Sequence, residues 1–516
     1  MLACLAAVAL PAAGRADAIL TWNTTLLDVV RQTSPLLVDG PPEVAREMAI
    51  LDTAMFDAVN AATGLTYHPY GFTGAAVSGA SADAAALAAG QQAMTAMFSS
   101  PLWRLPLPAG APAIADRVLA RIDATYAAAL AGLNQSDPAV TKGLALGRSA
   151  ASDVLGLRHD DGATAAILDG LKPHSAPGSG IVPGVYVPPS ASGGRPAMMP
   201  RWGDVEPFGV TRNTIRRDER LLPTVMQFGE DGRAGFIRSP QYALDVLRTE
   251  CTGSAGPLPA AIAGACATAG FHPATASEVK AALFWNDPGG TMQPPGHWLQ
   301  IADTVMTQPG RQLDELQEAR LSALLGMAEA DAGIAAWDVK YRVNLWRPVT
   351  AIRDCRAWNA FFTTCDPAWT SLIATPPHPD YVAGHPAFSG AAATVLADFF
   401  GTDDIAFCST SDPYRNGALG PVGPLTECFD SFSAASFGPN GAEASRVAGG
   451  IHTSAAVADG LRLGEMIGAE EFAGNLRPVP ETGTLPLLLA PLAVLLLLQL
   501  PGRRMSIFCS RAVETI

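Results

Sequence analysis

The stretch "PPHPDYVAGHPAFSGA", residues 376–391, places two of the chain's 8 histidines, His378 and His385, seven positions apart. Its prolines and glycines predict a loop, and the helix formers after Pro386 predict the start of a helix, whose first turn tolerates proline. The free backbone N–H groups and positive dipole end of such a start favour an anion. Gly384 would let that anion approach the backbone closely, and His385 could exchange protons with it near neutral pH. Taken alone, the stretch is better explained by two loop histidines that bond the backbone.

A second stretch, "AAWDVKYRVNLWRPVTAIR" at residues 335–353, carries cations at helical spacing. Lys340 and Arg347 are seven apart, nearly two turns, which predicts that both project from one face of a helix. Trp337 lies one turn before Lys340 on that face, and Pro348 would close the helix. The alternative is a solvated helix with ordinary charges.

A third stretch, "EASRVAGGIHTSAAVADGL" at residues 443–461, holds an arginine and a histidine. Arg446 and His452 are six apart, which is not the spacing of one face on a straight helix. Gly449 and Gly450 lie between them and can break the helix, which would bring both side chains to one point. The alternative is a helix–turn–helix with an incidental histidine.

The composition favours an all-α fold, a helical bundle with long loops. The chain has 516 residues, of which 48% are hydrophobic and only 16% charged, and alanine is abundant while β-branched runs are few. The net charge of −14, with 34 scattered lysines and arginines, excludes a nucleic-acid partner because no basic stripe could neutralise phosphates. Any anion site must therefore be local and built from a few chosen cations.

Apolar residues at helical spacing predict the helices of the bundle. The predicted helices cover residues 41–64, 82–98, 115–133, 276–286, 313–346, 387–400 and 454–470. The segment from Pro173 to Pro200 is rich in proline, glycine and serine and predicts a long loop. The sequence contains no internal repeat and no clear hairpin signal.

Taken together, the three stretches give K-x6-RP, then GH, then SR-x5-H, in that order. This combination resembles the vanadium-dependent haloperoxidase and type 2 phosphatidic acid phosphatase superfamily. The segments "FWNDPGG" at 284–290 and "SGAAATVLADFFG" at 389–401 are similar to its bacterial haloperoxidase-like branch. The resemblance covers most of the chain from 19 to 475. It implies two four-helix-bundle arrangements, with the active site in the C-terminal half.

The resemblance also implies a bound vanadate, or a phosphate, as cofactor or substrate. Lys340, Arg347 and Arg446 would neutralise its equatorial oxygens, and the backbone N–H of Gly384 would add a donor. Family members usually carry serine just before the Gly-His pair, whereas this chain has Ala383. The missing hydroxyl would weaken the anion site without abolishing it, since a hydrogen bond to a charged group contributes roughly 1.5–3 kcal/mol.

The remaining implied roles belong to histidines and to two further side chains. His452 would bond the metal axially, and His385 would be the acid–base group. Trp337 matches an aromatic residue of the pocket wall, and Asp287 is a weaker candidate for a carboxylate that orients an arginine. His378 stands where bromide-oxidising members carry histidine, which implies bromide or iodide as the halide, and a second imidazole there could take part in catalysis.

Three functions remain open from the resemblance. The first is a vanadate-dependent haloperoxidase, which would use hydrogen peroxide and a halide to halogenate a small organic acceptor, with a homodimer as its assembly. The second is an acid phosphatase with His452 as nucleophile and His385 as the acid. Many members carry aspartate four residues after the last histidine, and Ala456 stands there, which weakens the phosphatase most. The third is a non-enzymatic exported surface protein on an inactive haloperoxidase fold.

Both ends of the chain predict export. Residues 1–18 are apolar and end in Ala-Asp-Ala, which resembles a secretory signal with its cleavage site. Residues 476–516 contain a Val-Pro-Glu element, an apolar run at 485–500 and two arginines, which resembles the PEP-CTERM sorting tail of Gram-negative bacteria. These segments imply a cell-surface or extracellular location with transient membrane anchoring through the tail. The alternatives are an ordinary N-terminal helix and a permanent C-terminal anchor.

The cysteine count agrees with export. Removal of both ends would take Cys4 and Cys509 and leave an even number of cysteines, which in an exported chain suggests disulfides. Pairing by neighbourhood is one of 15 possible connectivities. The neighbourhood pairs are Cys251 with Cys266, Cys355 with Cys365 and Cys408 with Cys428.

Overall fold

A computed structural model describes residues 17–36, 39–105, 111–172, 182–188, 197–229, 232–311, 313–354, 365–417 and 419–480. Contacts divide the chain after Arg477, and only three residues of the second unit are described. The predicted signal segment, apart from its last two residues, and the predicted tail from residue 481 onward lie outside the described residues. The predicted loop at 173–200 is described only at 182–188 and 197–200, and these parts contain no helix.

The described fold is built mainly of α-helices, as the composition predicts. The helices of the first half are α1 (Ala18–Thr33), α2 (Pro41–Ala62), α3 (Ala82–Phe98), α4 (Ala111–Ala131), α5 (Pro138–Arg158), α6 (Ala163–Gly170), α7 (Arg212–Arg220), α8 (Pro223–Phe228), α9 (Arg233–Phe236) and α10 (Pro240–Thr252). Those of the second half are α11 (Ala260–Ala269), α12 (Ala276–Phe284), α13 (Gln293–Met306), α14 (Glu315–Val343), α15 (Pro348–Arg353), α16 (Gly384–Phe400), α17 (Phe432–Phe437), α18 (Ala442–Ala448) and α19 (Ser454–Gly474). Short 3-10 turns lie at Pro101–Arg104 and Trp202–Asp204.

Two groups of helices share one long central helix, α14. In the first group α2, α3 and α5 pack on one another, and in the second α16 packs on α19. Helix α14 packs extensively on α2 and also on α16 and α19, so it belongs to both groups. Asp314 and Gln317 start this helix with a capping box, in which each side chain bonds the backbone N–H of the other residue. The predicted helices lie within a few residues of the observed ones.

One predicted helix is wrong in a way that matters for the site. The chain was expected to remain helical over 313–346, which would put Lys340 and Arg347 on one helix face. Helix α14 ends at Val343, because Asn344 adopts a left-handed conformation at φ 54° and donates its N–H to the Lys340 carbonyl. Pro348 then opens α15 instead of closing α14, and Arg347 is its N-cap residue.

Helix α16 lies unusually close to helix α19. Gly460, Gly464 and Gly468 of α19 form a seam of residues without side chains against α16. A Cβ atom added at Gly464 would lie 2.0 Å from the Ala387 carbonyl oxygen, a distance that atoms in contact never reach. The seam therefore sets the spacing between the helix that begins near His385 and the helix that follows His452.

Two small antiparallel sheets, which the sequence analysis did not predict, follow α16. Strand β1 (Phe407–Thr410) pairs with β4 (Thr426–Phe429), and β2 (Tyr414–Asn416) pairs with β3 (Gly420–Val422). The sequence hides these hairpins because the strands are only three or four residues long, too short for an alternating pattern to stand out.

Disulfides hold two segments of the chain. Cys408 and Cys428 face each other across β1 and β4 and are bonded, and Cys251 is bonded to Cys266, so these two expected pairings are confirmed. Cys365 is also disulfide-bonded, while Cys355, its expected partner, lies outside the described residues.

None of the helices in the described part of the chain combines the length and the apolar composition that a membrane crossing requires.

Candidate functional site

Three buried cations converge from separate segments of the second half. Lys340 on α14 and Arg347 before α15 are fully buried, and so is Arg446 on α18. Lys340 donates from Nζ to the Pro379 carbonyl at 2.9 Å. Arg347 donates from Nε to the His378 carbonyl at 2.6 Å. Lys340 and Arg347 were expected to project from one face of a single helix. They are instead held by backbone carbonyl groups in the loop of the opening stretch.

His452 lies against Arg347 and is oriented by a carboxylate. Its Nδ1 is 2.7 Å from Asp380 Oδ1, and its Nε2 is 3.0 Å from Arg347 Nη1. Because the arginine can only donate, Nε2 accepts and Nδ1 carries the hydrogen that is donated to Asp380. The lone pair of Nε2 therefore points toward the cations.

Asp380 was missed in the sequence analysis. It is fully buried, and its second oxygen, Oδ2, accepts the Thr453 hydroxyl at 2.8 Å. It does for His452 what an aspartate at position 456 was expected to do, since Ala456 has no group to offer. The sequence carried one indication of this role, because Asp380 stands between His378 and His385 in "PHPDYVAGH". A carboxylate that is buried there needs partners for its charge.

His385 and Arg446 form the opposite side of the cluster. His385 Nε2 lies 3.3 Å from Arg446 Nη1 and also 3.3 Å from the carbonyl oxygen of Asn286. Helix α18 ends at Ala448, and Gly450 has a φ of +75°, a conformation that favours glycine. This break turns the chain so that Arg446 and His452 reach one cluster, as the double glycine predicts.

The start of helix α16 lies in the same cluster. Its N-cap residue is Ala383, whose side chain offers no hydrogen bond to the first N–H groups. The N–H groups of the first turn, at Gly384 and His385, are thus left without a side-chain cap, and the positive end of the dipole is uncompensated. A helix start at Gly384 is what the opening stretch predicts, and a start of this kind favours an anion.

Trp337 and Asp287, the two further side chains predicted at the site, differ in how well they match their predicted roles. Trp337 is buried, with its ring centroid 5.0 Å from that of His378 and 5.5 Å from Lys340 Nζ, so it forms a wall of the cluster. Asp287 lies 3.0 Å from His297 Nδ1 and so bonds a histidine that was not expected at the site. Its negative charge also opposes the lowering of the pKa of Arg446.

His378 completes the cluster from the loop before α16. Its Nδ1 lies 2.9 Å from Arg347 Nη2, and its ring centroid is 6.4 Å from that of His452. The structure thus brings together all three predicted cations, the three predicted histidines, Gly384 and Trp337.

The cations are held in an environment that disfavours their charge. Burial lowers the pKa of Arg347 to about 10 and that of Arg446 to about 10, with Asp380 and Asp287 respectively opposing the change. Burial, and then the charge of Arg347, lowers the pKa of Lys340 well below its usual value. An oxyanion bound among these groups would restore their charged forms, because opposite charge favours ionisation.

The three histidines of the cluster lie in the same buried, positively charged environment as the cations. Burial and the neighbouring cations hold the pKa values of His378, His385 and His452 well below the ordinary range. Neutral imidazoles can act as ligands and proton acceptors, and a bound anion would raise their pKa values toward neutral pH.

A cavity of about 1150 Å³ opens beside this cluster. His378, Gly384 and His385 line it, together with Trp337 and Phe388. One side of the cluster therefore borders a space much larger than the cluster itself.

Comparison with known proteins finds relatives for the segment that carries this cluster. Residues 320–479, which contain the cations and histidines described above, match the family model of the VCPO second helical-bundle domain. A vanadium chloroperoxidase from Curvularia inaequalis is 28% identical over 137 residues, which are 23% of this chain and 22% of the relative. The chain thus spans less than a quarter of that relative's length.

Solved structures extend the similarity to the whole fold. A bacterial vanadium-dependent iodoperoxidase superposes with a TM-score of 0.60 at 18% identity, covering 90% of this chain and 98% of that chain. The apo form of a bacterial vanadium-dependent chloroperoxidase gives a TM-score of 0.56 at 18% identity, covering 84% and 93%. The chain therefore has the helical fold of the bacterial vanadium haloperoxidases, and the part that carries the cluster is similar to the VCPO second helical-bundle domain.

Proposed function

We propose that this protein is a vanadate-dependent haloperoxidase, which oxidises a halide with hydrogen peroxide to a hypohalous acid equivalent. The observation that carries this proposal is the cluster of three fully buried cations, Lys340, Arg347 and Arg446, around the uncapped start of α16. Burying like charges together is costly unless an anion compensates them.

The residues present fit vanadate. A tetrahedral oxyanion needs donors on several sides, and the cluster offers two guanidinium groups, an ammonium group and backbone N–H groups at Gly384 and His385. The Nε2 lone pair of His452 is directed toward these cations and would hold the metal. Vanadate, when bound, supplies a Lewis acid that activates peroxide toward halide attack without changing its own oxidation state.

Proton handling falls to His385 in this proposal. The overall reaction, H2O2 + X⁻ + H⁺ → HOX + H2O, consumes one proton per turnover. His385 lines the cavity and lies 3.3 Å from Arg446 Nη1, so its imidazole can deliver that proton at Nε2 or take one from incoming peroxide. The Lys340 ammonium group would donate a hydrogen bond to peroxide that enters the site and withdraw electron density from it.

The halide proposed is bromide or iodide. His378 lies between Trp337 and Arg347. It stands seven positions before His385, where the resemblance implies histidine in bromide-oxidising members and an aromatic residue in chloride-oxidising ones. The proposed partners are hydrogen peroxide, the halide and a small organic acceptor.

The test of the function replaces the group that would hold the metal. His452→Ala is expected to abolish both vanadate binding, followed by calorimetry, and bromide oxidation, followed with a phenolic dye. His272→Ala is the matched control, because His272 is exposed and, among the described hydrogen bonds, its ring contacts only the carbonyl of Pro273. Unchanged vanadate affinity in the His452 variant would refute the site assignment.

An acid phosphatase of the same superfamily is the second candidate, and Asp380 favours it. A histidine nucleophile needs a carboxylate at its other nitrogen, and Asp380 supplies one at 2.7 Å from His452 Nδ1. Hydrolysis of a phosphomonoester without vanadate, inhibited by added vanadate, would support this candidate over the haloperoxidase. A folded chain with neither activity would point to a surface protein without catalysis.

Export is a further part of the proposal. The disulfides Cys251–Cys266 and Cys408–Cys428 suit an oxidising compartment outside the cytoplasm. Together with the segments at 1–18 and 476–516, they support display at the cell surface of a Gram-negative bacterium with temporary anchoring by the tail. Fractionation of expressing cells, with and without residues 476–516, tests this, and a homodimer is tested by light scattering.

A further inference from the structure

The cavity beside the site is far larger than peroxide and a halide require. Its volume of about 1150 Å³ exceeds that of most pockets for drug-sized ligands, which are roughly 300–1000 Å³. It extends from His385 to Asp39, which precedes helix α2 in the other half of the fold. Such a space can hold an organic molecule next to the oxidising centre.

One wall between these two points is aromatic and apolar. A Cβ atom at Gly384 would lie 3.1 Å from the Trp337 ring, and the centroids of Trp337 and Phe388 are 6.3 Å apart. A Cβ atom at Gly333 would lie 3.0 Å from Phe388 and 3.7 Å from Pro42, two residues after Gly40. The two rings thus lie between the start of α16 and the start of α2.

Asp39 lies at the far end of this wall. It is 1% exposed, and among the described residues neither of its carboxylate oxygens has a hydrogen-bond partner of good geometry, although the Thr33 hydroxyl is near enough to lower its pKa. It nevertheless lines the cavity. A buried carboxyl group without a partner is costly, so a group that enters the cavity is the natural candidate to pair with it.

The surroundings of Asp39 hold more carboxyl groups than cations. Glu43 and Glu47 follow on α2, both buried, and both oxygens of Glu47 also lack a hydrogen-bond partner within the described ranges. The neighbouring cation, Arg46, is shared between Glu43 at 3.3 Å and Asp161 at 2.7 Å. Asp39, which lines the cavity, therefore has two further buried carboxyl groups close behind it and one neighbouring arginine that is already engaged, an arrangement that suits a cationic ligand.

Burial, with a smaller contribution from the charge of Glu43 and against the opposing effect of the Thr33 hydroxyl, raises the pKa of Asp39 to about 8. The free carboxyl group is thus largely protonated at pH 7. A bound ammonium group would favour the ionised form, so binding would release a proton.

We propose that this cavity binds an organic acceptor with an electron-rich aryl ring and a protonated amine, the amine at Asp39 and the ring against Trp337 and Phe388. The proposal rests on the proposed function, which supplies the hypohalous acid equivalent at the other end. The ring would exchange one C–H bond for C–X, according to HOX + ArH → ArX + H2O. A hypohalous equivalent is an electrophile, which is why the ring must be electron-rich.

The test compares two probes that share a skeleton, tyramine and 4-ethylphenol, by calorimetry on the full chain without vanadate or peroxide. Tyramine is expected to bind at least about 10-fold more tightly, since a charge-assisted hydrogen bond contributes roughly 1.5–3 kcal/mol. Its heat of binding at pH 7 should vary with the ionisation enthalpy of the buffer, because a proton is released. Equal affinity of the two probes, or no binding of either, would overturn the proposal.

The matched variants are Asp39→Asn and Asp354→Asn, two carboxylates that line the same cavity. Asp39→Asn should remove the preference for tyramine and the proton release while leaving 4-ethylphenol binding unchanged, and Asp354→Asn should change neither. Loss of the preference in the Asp354 variant alone would contradict the placement of the amine. Because binding is measured without turnover, it is independent of the peroxidase assay. Absence of bromide oxidation with intact tyramine binding would reject the function and not the site.

Discussion

Replacing Asp380 by asparagine tests whether this carboxylate sets the chemistry of His452. The pair is fully buried, with Nδ1 of His452 2.7 Å from Oδ1 of Asp380. Asparagine keeps the shape and an acceptor oxygen but removes the charge. A buried hydrogen bond to a charged group contributes about 1.5–3 kcal/mol. At about 1.4 kcal/mol per factor of ten, vanadate should bind roughly 10- to 150-fold more weakly.

Two opposing effects accompany this loss. Removal of a negative charge raises the positive potential of the cluster, which by itself would attract an oxyanion. The same removal lowers the pKa of Lys340 further, because Asp380 is the group that opposes that shift, so the ammonium group is lost more easily. We expect the second effect to win above neutral pH, where the affinity defect should grow.

The assay is a vanadate titration by calorimetry at several pH values, with bromide oxidation as a second readout. Asp459→Asn is the control, since Asp459 is also buried, accepts from the Tyr381 hydroxyl at 2.7 Å and makes no contact with His452 among the described hydrogen bonds. Thr453→Val, which removes the hydroxyl donated to Asp380, should show a smaller defect of the same sign. An Asp380 variant with unchanged affinity, or one matched by the Asp459 variant, would refute the reasoning.

Three further predictions concern the anion site, stability and covalent links. Ala383→Ser should tighten vanadate binding about 10-fold, because serine at the N-cap of α16 adds a hydroxyl donor; unchanged affinity in a titration would contradict this. Burial and the charge of Asp52 raise the pKa of Glu329 well above its usual value, so the folded state keeps a proton that the unfolded state loses above about pH 4.3. Stability should therefore fall as pH rises from about 4 toward that folded pKa, and Glu329→Gln should reduce the fall in melting temperature between pH 5 and pH 8. Removing the Cys251–Cys266 bond by a double alanine substitution should lower the free energy of unfolding by about 3 kcal/mol, measured by urea denaturation, since the loop has a sequence separation of 15.

Helix positions could be predicted because each helix has a local signal. The first turn of α16 follows from Gly384, Pro386 and the alanines after them, and the break before His452 follows from two adjacent glycines. These features depend on residues close together in the chain, where backbone preference decides the structure.

The remaining errors concern features for which the sequence gives a weak local signal or none. Lys340 and Arg347 meet because a left-handed Asn344 ends α14, and a single asparagine gives too weak a signal to override a helical pattern. Asp380 reaches His452 across 72 positions of sequence, a separation at which spacing carries no information. Many members of the superfamily carry an aspartate at the position of Ala456. Here Asp380, from another segment of the chain, bonds His452 instead.

The seam between α16 and α19 makes the site depend on residues that never touch a ligand. At Gly460 an added methyl group would come within 2.5 Å of the Ala383 carbonyl, and at Gly468 within 2.6 Å of the Ala391 carbonyl. A methyl group at either position would push the start of α16 away from His452. Loss of activity in an alanine variant at either position would therefore reflect a greater distance between the two sides of the cluster, although none of the residues of the cluster had been replaced.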